Sequence, residues 1–303
     1  MIYRIRHRTR YEYSEPTSVS YHEIRLCPRD LEHQTLIDKT ILVDPEPAEL
    51  SERCDYFGNP TWYLAIDQPH AAMDVLVEST VRIERPMLQA NLARSPAWET
   101  ACDQLQSVAG PDIIAAGEFT LDSPLIKADD QLAAYACLSF GPQRAIMEAV
   151  DDLMGRIHRD FEFKPGFTNI ATPLLQVLEH RKGVCQDFAQ LAIGCLRSMG
   201  LAARYVSGYI ETLPPPGKTK LKGADASHAW FSVYIPGHGW LDFDPTNNQL
   251  PSDQHIVVAI GRDFSDVTPI KGVIFSAGRH LLSVSVDTER IAQMPPPKQA
   301  EKG

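Results

Sequence analysis

Three residues far apart in the chain, Cys185, His228 and Asp244, carry side chains that together could break and remake an acyl bond. A cysteine attacks as its thiolate, so it needs a partner to take its proton and return it. Imidazole does this near neutral pH. A carboxylate beside the imidazole fixes its tautomer and steadies its charged form. Whether the three meet depends on the elements that hold them.

Cys185 opens a stretch in which apolar residues recur at Phe188, Ala189, Ala192, Cys195, Leu196 and Met199, offsets of 3, 4, 7, 10, 11 and 14. That is one stripe of an α-helix, and Gly200 is placed to end it. Cys185 then sits in the first turn, where N–H groups lack intrahelical acceptors and the dipole is positive. This place favours a thiolate, and the same N–H groups could hold a developing oxyanion. The plainer alternative makes Cys185 the first residue of a buried stripe, since free cysteine is often a small core hydrophobe. Cys195, ~80° further round the helix, fits that description.

Downstream, Arg204 to Ile210 and Ser227 to Ile235 read as strands, Pro236-Gly237-His238-Gly239 as a turn, and Trp240 to Thr246 as the returning arm of a hairpin. His228 stands near the start of one arm and Asp244 near the end of the other. They share a face only if cross-strand partners sum to an even number. A three-residue loop between Ile235 and Gly239 gives a sum of 474, setting Asp244 opposite Trp230 and diagonal to His228. A two-residue loop gives 475 and separates them unless a bulge intervenes. Both remain open, and Asp242, on the same face as Asp244, competes for the role.

The chain has 303 residues, enough for two domains and a full core. Residues counted as apolar make up 44% and charged residues 22%, as in an ordinary globular protein. With 29 Lys+Arg against 39 Asp+Glu the formal charge is −10, which argues against a nucleic-acid binder and against docking on an anionic membrane. No run approaches the roughly 18 apolar residues of a membrane helix. The basic start leads into no apolar stretch, so no signal peptide is expected. The six cysteines form no CxxC pair and are expected as reduced thiols, with the cytoplasm as the expected location.

Alternation with turn punctuation places strands at Arg4 to Tyr13, Ser18 to Leu26, Gln34 to Val43, Thr61 to Ile66 and Met73 to Ile83. Residues 1–86 are therefore expected as a small β-sandwich-like domain. Residues 87–130 read as a connector, loosely helical from Leu88 to Ala116. Helices are expected over Gln131 to Ser139, Gln143 to Phe161 and Thr172 to Glu179, within a catalytic domain spanning 131–292. The Pro- and Lys-rich stretch Leu213 to Lys222 reads as a long loop before His228, and 293–303 as a disordered tail.

Four motifs, in order, resemble the bacterial transglutaminase-like superfamily: Arg181 to Ala189 around the cysteine, Ala203 to Tyr209, Ser227-His228-Ala229-Trp230, and Gly239 to Thr246 around Asp244. The start of the chain (His7 to Tyr13, Arg25 to Arg29) is similar to the β-rich region that accompanies this catalytic domain, and Gly261 to Pro269 resembles the family's C-terminal segment. The resemblance implies an α+β protein with a papain-like transglutaminase-core catalytic domain. It implies Cys185 as nucleophile, His228 as base and Asp244 as orienting carboxylate, favouring Asp244 over Asp242. It implies acyl transfer through a thioester resolved by water or an amine. Gln190 departs from the histidine that many relatives carry.

Membership alone does not choose among amide chemistries. The leading expectation is a thiol enzyme that hydrolyses, or transamidates, a peptide, protein or other amide bond. Hydrolysis is preferred because nothing resembles the calcium-binding and accessory domains of animal crosslinkers. A non-catalytic peptide-binding module and a deglycosylating amidase are the alternatives. The remaining histidines show no ligand spacing and no phosphate-cradling glycine loop is visible, so neither metal nor cofactor is expected.

Around the triad, Gln186, Asp187, Thr168, Tyr209 and Trp230 are candidates to line the site. Tyr209 and Trp230 could flank an acyl groove or pack in the core. Asp187 could stabilise the helix start or touch the site, and Thr168 with Asn169 could offer a second oxyanion donor. Arg262 and Asp263 read as a structural pair, and His238 as a solvated turn residue.

Overall fold

The structure is a computed structural model describing residues 1–85, 94–107, 110–211, 225, 227–275 and 278–291. The loop expected over Leu213 to Lys222, the tail 293–303 and residues 87–93 and 108–109 of the connector lie outside the described residues.

The first third is built of strands: β1 (Ile2–Thr17), β2 (Ser20–Ile24), β3 (Gln34–Asp44), β4 (Glu49–Cys54), β5 (Pro60–Ile66) and β6 (His70–Ile83). In β1 the alternation sends Tyr3, Ile5, His7 and Thr9 inward while Arg6 and Arg8 face solvent. Next come α1 (Trp98–Gln106), α2 (Pro111–Gly117), α3 (Asp130–Cys137), α4 (Ile146–Asp160), β7 (Glu162–Phe163), α5 (Leu174–His180), β8 (Lys182–Gly183) and α6 (Cys185–Ser198). The chain continues with β9 (Ala203–Ile210), β10 (Ser227–Ile235), β11 (Gly239–Phe243), β12 (His255–Gly261), β13 (Ile270–Ile274) and β14 (His280–Arg290).

Two four-stranded sheets, in the orders β14-β1-β6-β3 and β13-β2-β5-β4, form the N-terminal sandwich. Ile24, Trp62, Leu64 and Ile66 from one sheet pack against Tyr13, Met73, Val75 and Val77 from the other. A third sheet, β11-β10-β9-β12, carries α6 against β10 and β9. The stripe Phe188, Ala189, Ala192, Cys195 and Leu196 is buried there, in one core with α3, α4 and α5. Among the described residues no helix is long and apolar enough to cross a membrane.

Two features differ from the sequence reading. β4 was not expected: it lies at a sheet edge with almost every side chain exposed, so it shows no alternation to read. The second is the end of the segment expected as catalytic, 131–292. Its last strands cross back, β13 pairing with β2 and β14 with β1, and complete the sandwich. Strand partnership is a tertiary fact that chain order does not carry.

Candidate active site

Cys185 is the first residue of α6, after Val184 in extended backbone at φ −123° and ψ −179°. The helix start is capped from the third position: Asp187 Oδ2 accepts the Val184 N–H at 2.7 Å and the Thr168 hydroxyl at 2.6 Å. Val184 has no side-chain oxygen, so this is one half of a capping box. Burial, opposed by these two bonds, pushes the Asp187 carboxyl pKa up. Gly183 leaves room for that carboxylate, since a Cβ there would lie 2.6 Å from Asp187 Oδ2. Cys185 is half-buried. Cys195, deep in the same helix, is fully buried, and burial pushes its thiol up to about 12.

The β10–β11 hairpin has the three-residue loop. Ile235 stands opposite Gly239 and Phe231 opposite Phe243, so partners sum to 474. The parity brings Asp244 to His228: the ring Nε2 donates to Asp244 Oδ2 at 2.8 Å, with both residues buried. Cys185 is a second group that acts on the His228 ring and favours its charged form. With Nε2 engaged by Asp244, Nδ1 is the ring nitrogen left to exchange a proton with a thiol. Burial works against a charged His228, but Asp244 and Cys185 outweigh it and lift its pKa to about 9.

Asp244 is held on both oxygens. Oδ1 accepts the Thr246 and Asn247 N–H groups at 3.0 and 3.2 Å. Oδ2 accepts Asn247 Nδ2 at 2.7 Å and a second imidazole, His255 Nε2, at 3.0 Å. Burial opposes its ionisation, yet the bonds from His228 and His255 keep its pKa well below the usual carboxylate range. Asp242 has other partners: its carboxylate accepts from Ser232 Oγ and pairs with Arg85 Nη1 at 3.0 Å. Burial would raise its pKa, but Arg85 and Ser232 lower it.

Residues 137–245, which span all three side chains, match the transglutaminase-like superfamily, and residues 3–82 match the bacterial transglutaminase-like N-terminal region. The chain is 42% identical over 293 residues to the uncharacterized protein Rv2569c of Mycobacterium tuberculosis strain H37Rv, covering 94% of this chain and 91% of that one. The chain belongs to the transglutaminase-like superfamily. A Mycobacterium leprae member, uncharacterized protein ML0607, is 32% identical over 296 residues, covering 95% and 99% of the two chains. A shorter match, 36% over 76 residues, joins 25% of this chain to 11% of the protein-glutamine gamma-glutamyltransferase of Pseudomonas aeruginosa PAO1. The fold is shared with a Cytophaga hutchinsonii protein provisionally named a cysteine protease, at a TM-score of 0.74 and 22% identity over 97% of this chain and 93% of that one.

Within this superfamily core, the expected lining residues take different places. Tyr209 is 1% exposed. Its hydroxyl donates to the Leu26 carbonyl at 3.2 Å and lies 2.8 Å from His7 Nδ1, so it joins the core to the sandwich instead of flanking a groove. Trp230 is fully buried among Val206, Val257 and Ile260, with Leu31 and Phe57 of the sandwich. Its ring stands 5.9 Å from that of His228 and 5.3 Å from that of His255, a wall behind the imidazoles. As strand aromatics, both residues follow the buried side of the pleat. The Thr168 hydroxyl donates to Asp187, and Asn169 Oδ1 accepts the Ala171 N–H at 2.8 Å within its own turn. Gln186 is half-buried beside Cys185. Gln190 is buried, its Oε1 accepting the Phe264 N–H at 3.3 Å. Arg262 pairs with Asp266 at 2.9 Å, while Asp263 accepts the Ser265 and Leu125 N–H groups. His238 is exposed on its turn.

His255 was missed by the sequence reading. It lies 11 residues beyond Asp244 at the head of an apolar strand, and no short-range spacing marks it. His255 and Asp244 approach each other across β9 at Gly208, which pairs with His228 on one side and Val257 on the other. A Cβ at Gly208 would meet the Ile256 carbonyl at 2.1 Å and the Trp230 ring at 2.5 Å. Nitrogen and oxygen atoms of His228, Asp244 and His255 lie within 4.8 Å of one another, the one group among the described residues with a metal-ligating composition. Their 2.8 and 3.0 Å separations are hydrogen-bond lengths around a shared carboxylate oxygen.

Proposed function

We propose that this chain is a thiol-dependent acyl-transfer enzyme that hydrolyses, or transamidates, a peptide, protein or other amide bond through a thioester on Cys185. The observation that carries the reading is His228 held at 2.8 Å by a buried, fully hydrogen-bonded Asp244, with Cys185 acting on the same ring from a half-buried place at a helix start.

The chemistry follows from these positions. His228 takes the Cys185 proton at Nδ1, leaving a thiolate beside an imidazolium whose charge Asp244 balances. The thiolate attacks the amide carbonyl, and first-turn N–H groups of α6 stabilise the oxyanion. The amine departs with the proton from His228, and the acyl group stays on sulfur as a thioester. Water, deprotonated by His228, attacks the thioester and releases the acid, regenerating the thiolate. An amine taking the place of that water gives transamidation.

Mild alkylation with iodoacetamide near pH 6, read by mass spectrometry, tests the activated thiol. Cys185 is expected to label far faster than Cys195, and equal rates would sink the reading. Incubation with casein and glutamine peptides, scanned for cleavage, ammonia release and amine incorporation, separates hydrolysis from transamidation. All of these activities are expected to vanish in Cys185→Ala. Binding of peptides without turnover by the unaltered chain would point to a binding module.

A further inference from the structure

β12 lies at the edge of its sheet, and an edge strand presents unpaired N–H and C=O groups. Here two side-chain amides of the N-terminal sandwich take the place of a neighbouring strand. The Val257 N–H donates to Gln34 Oε1 at 2.8 Å, and the Val257 carbonyl accepts Gln34 Nε2 at 2.7 Å. The Ile260 N–H donates to Asn59 Oδ1 at 2.9 Å, and the Ile260 carbonyl accepts Asn59 Nδ2 at 2.8 Å. Outward-facing groups on a regular strand recur every second residue. The irregularity between Val257 and Ala259 changes that interval, so that Val257 and Ile260, three apart, both face the sandwich.

The two amides are themselves oriented. Arg29 Nη1 donates to Asn59 Oδ1 at 2.6 Å, Asn59 Nδ2 also donates to Asp55 Oδ2 at 2.9 Å, and Gln34 Nε2 also donates to the Arg29 carbonyl at 2.7 Å. Gln34 is 1% exposed and Asn59 is fully buried. The bonds fix β12 along its length, and His255 sits two residues before Val257. Its ring is held at the other end too: the Ser252 N–H donates to Nδ1 at 3.3 Å, leaving Nε2 to carry the hydrogen given to Asp244.

We propose that Gln34 and Asn59 are positioning residues for the Asp244–His228 pair, acting through β12 and His255. The inference rests on the function proposed above and gives the N-terminal sandwich a part in it. A neutral donor at Asp244 Oδ2 spreads the carboxylate charge and holds the oxygen where His228 meets it. If β12 slips, the 3.0 Å bond lengthens and Asp244 is left to His228 and Asn247. The titratable and charged groups facing His228 are Cys185 on α6, Asp244 beyond β11 and His255 on β12, with Arg85 acting on His255 from beyond β6.

The experiment follows the imidazole nitrogens of His228 and His255 by NMR in the full chain, well below its melting temperature. It compares the unaltered protein with Gln34→Ala/Asn59→Ala. In the unaltered chain His255 is expected to show a slowly exchanging Nε2–H. In the variant that signal is expected to be lost to solvent exchange. The His228 midpoint should rise by about half a pH unit or more, because Asp244 loses a competing donor. Should the double variant lack a cooperative melt, the single variant Gln34→Met carries the test, since it keeps the side chain's length, removes its two bonds to Val257 and leaves Asn59 in place. A merely structural role would lower the melting temperature and leave both imidazole signals unchanged, which overturns the inference alone. An unaltered chain in which Cys185 alkylates no faster than Cys195 overturns the proposed function and the inference together.

Discussion

His228 donates to Asp244 at 2.8 Å in a place where neither side chain meets much solvent. A charge pair so placed is hard to replace. The carboxylate makes the imidazolium tolerable, and the imidazolium with its neighbouring donors makes the carboxylate tolerable.

Asp244→Asn keeps the shape of that contact and removes its charge. Burial then works against the charged imidazole with only Cys185 opposing it, so the His228 midpoint should fall well below about 9. Turnover of any amide substrate is expected to drop about 10³–10⁴-fold, as when a triad carboxylate loses its charge. The two measurements are an imidazole titration and a kcat determination. A variant within threefold of the unaltered enzyme would remove Asp244 from the mechanism.

The raised His228 pKa also has a stability signature. A group that gains protons more readily when folded stabilises the fold fully below its unfolded pKa, 6.5, and loses that contribution as pH climbs through about 9. The upper bound on this loss is about 3.5 kcal/mol, taking roughly 1.4 kcal/mol per pKa unit. His7 and His22 act in the opposite sense. Burial lowers each to about 4, so their contribution is present above 6.5 and lost as pH falls through 4. Denaturant midpoints between pH 4 and pH 9 should therefore peak near neutrality. The alkaline decline should flatten in His228→Gln, and an unchanged decline there would assign it to other groups.

The hairpin could be read from the sequence because its information is local. A turn between two strands leaves two possible registers, and the observed sum of 474 is the one that joins His228 to Asp244. The helix stripe behind Cys185 was visible for the same reason, its period being written in successive residues. What stayed hidden depends on which strands and domains come together in three dimensions. His255 gains its meaning from Gly208, which allows an approach across β9, and Gln34 and Asn59 gain theirs from an edge more than two hundred residues away. Tyr209 and Trp230 looked available as groove residues because a strand pattern does not say which face another domain will cover.

Gly183→Ala probes the support beneath Cys185. The added methyl would lie 2.6 Å from Asp187 Oδ2 and 2.8 Å from its Cβ, so the carboxylate must leave the Val184 N–H and the Thr168 hydroxyl. The cost is about 1–3 kcal/mol of stability, combining a lost cap with local overpacking. The Cys185 alkylation rate is expected to fall as well, because the first turn that presents the sulfur loses its anchor. Thr168→Val, which removes one acceptor–donor pair without a clash, should show a smaller loss in both measurements. Thermal melts with timed alkylation would show whether the two effects travel together.

Asp242→Asn separates a structural carboxylate from the one at His228. Asp242 shares a strand face with Asp244, but its partners are Ser232 and Arg85, the latter at 3.0 Å with a side chain only 8% exposed. Arg204 is another positive charge acting on it, and burial, opposed by Asp242, lowers the Arg204 pKa to about 10. Removing the Asp242 charge leaves buried guanidinium groups without their counter-ion, which costs about 3–5 kcal/mol when one partner of a buried pair is lost. The expected phenotype is a strongly lowered melting temperature with kcat of the folded fraction within a few-fold of the unaltered enzyme, the reverse of Asp244→Asn. If Asp242→Asn instead abolished turnover at full stability, the two carboxylates would have exchanged roles. The hydrogen bond from His228 to Asp244 would then be a packing contact and no part of the chemistry.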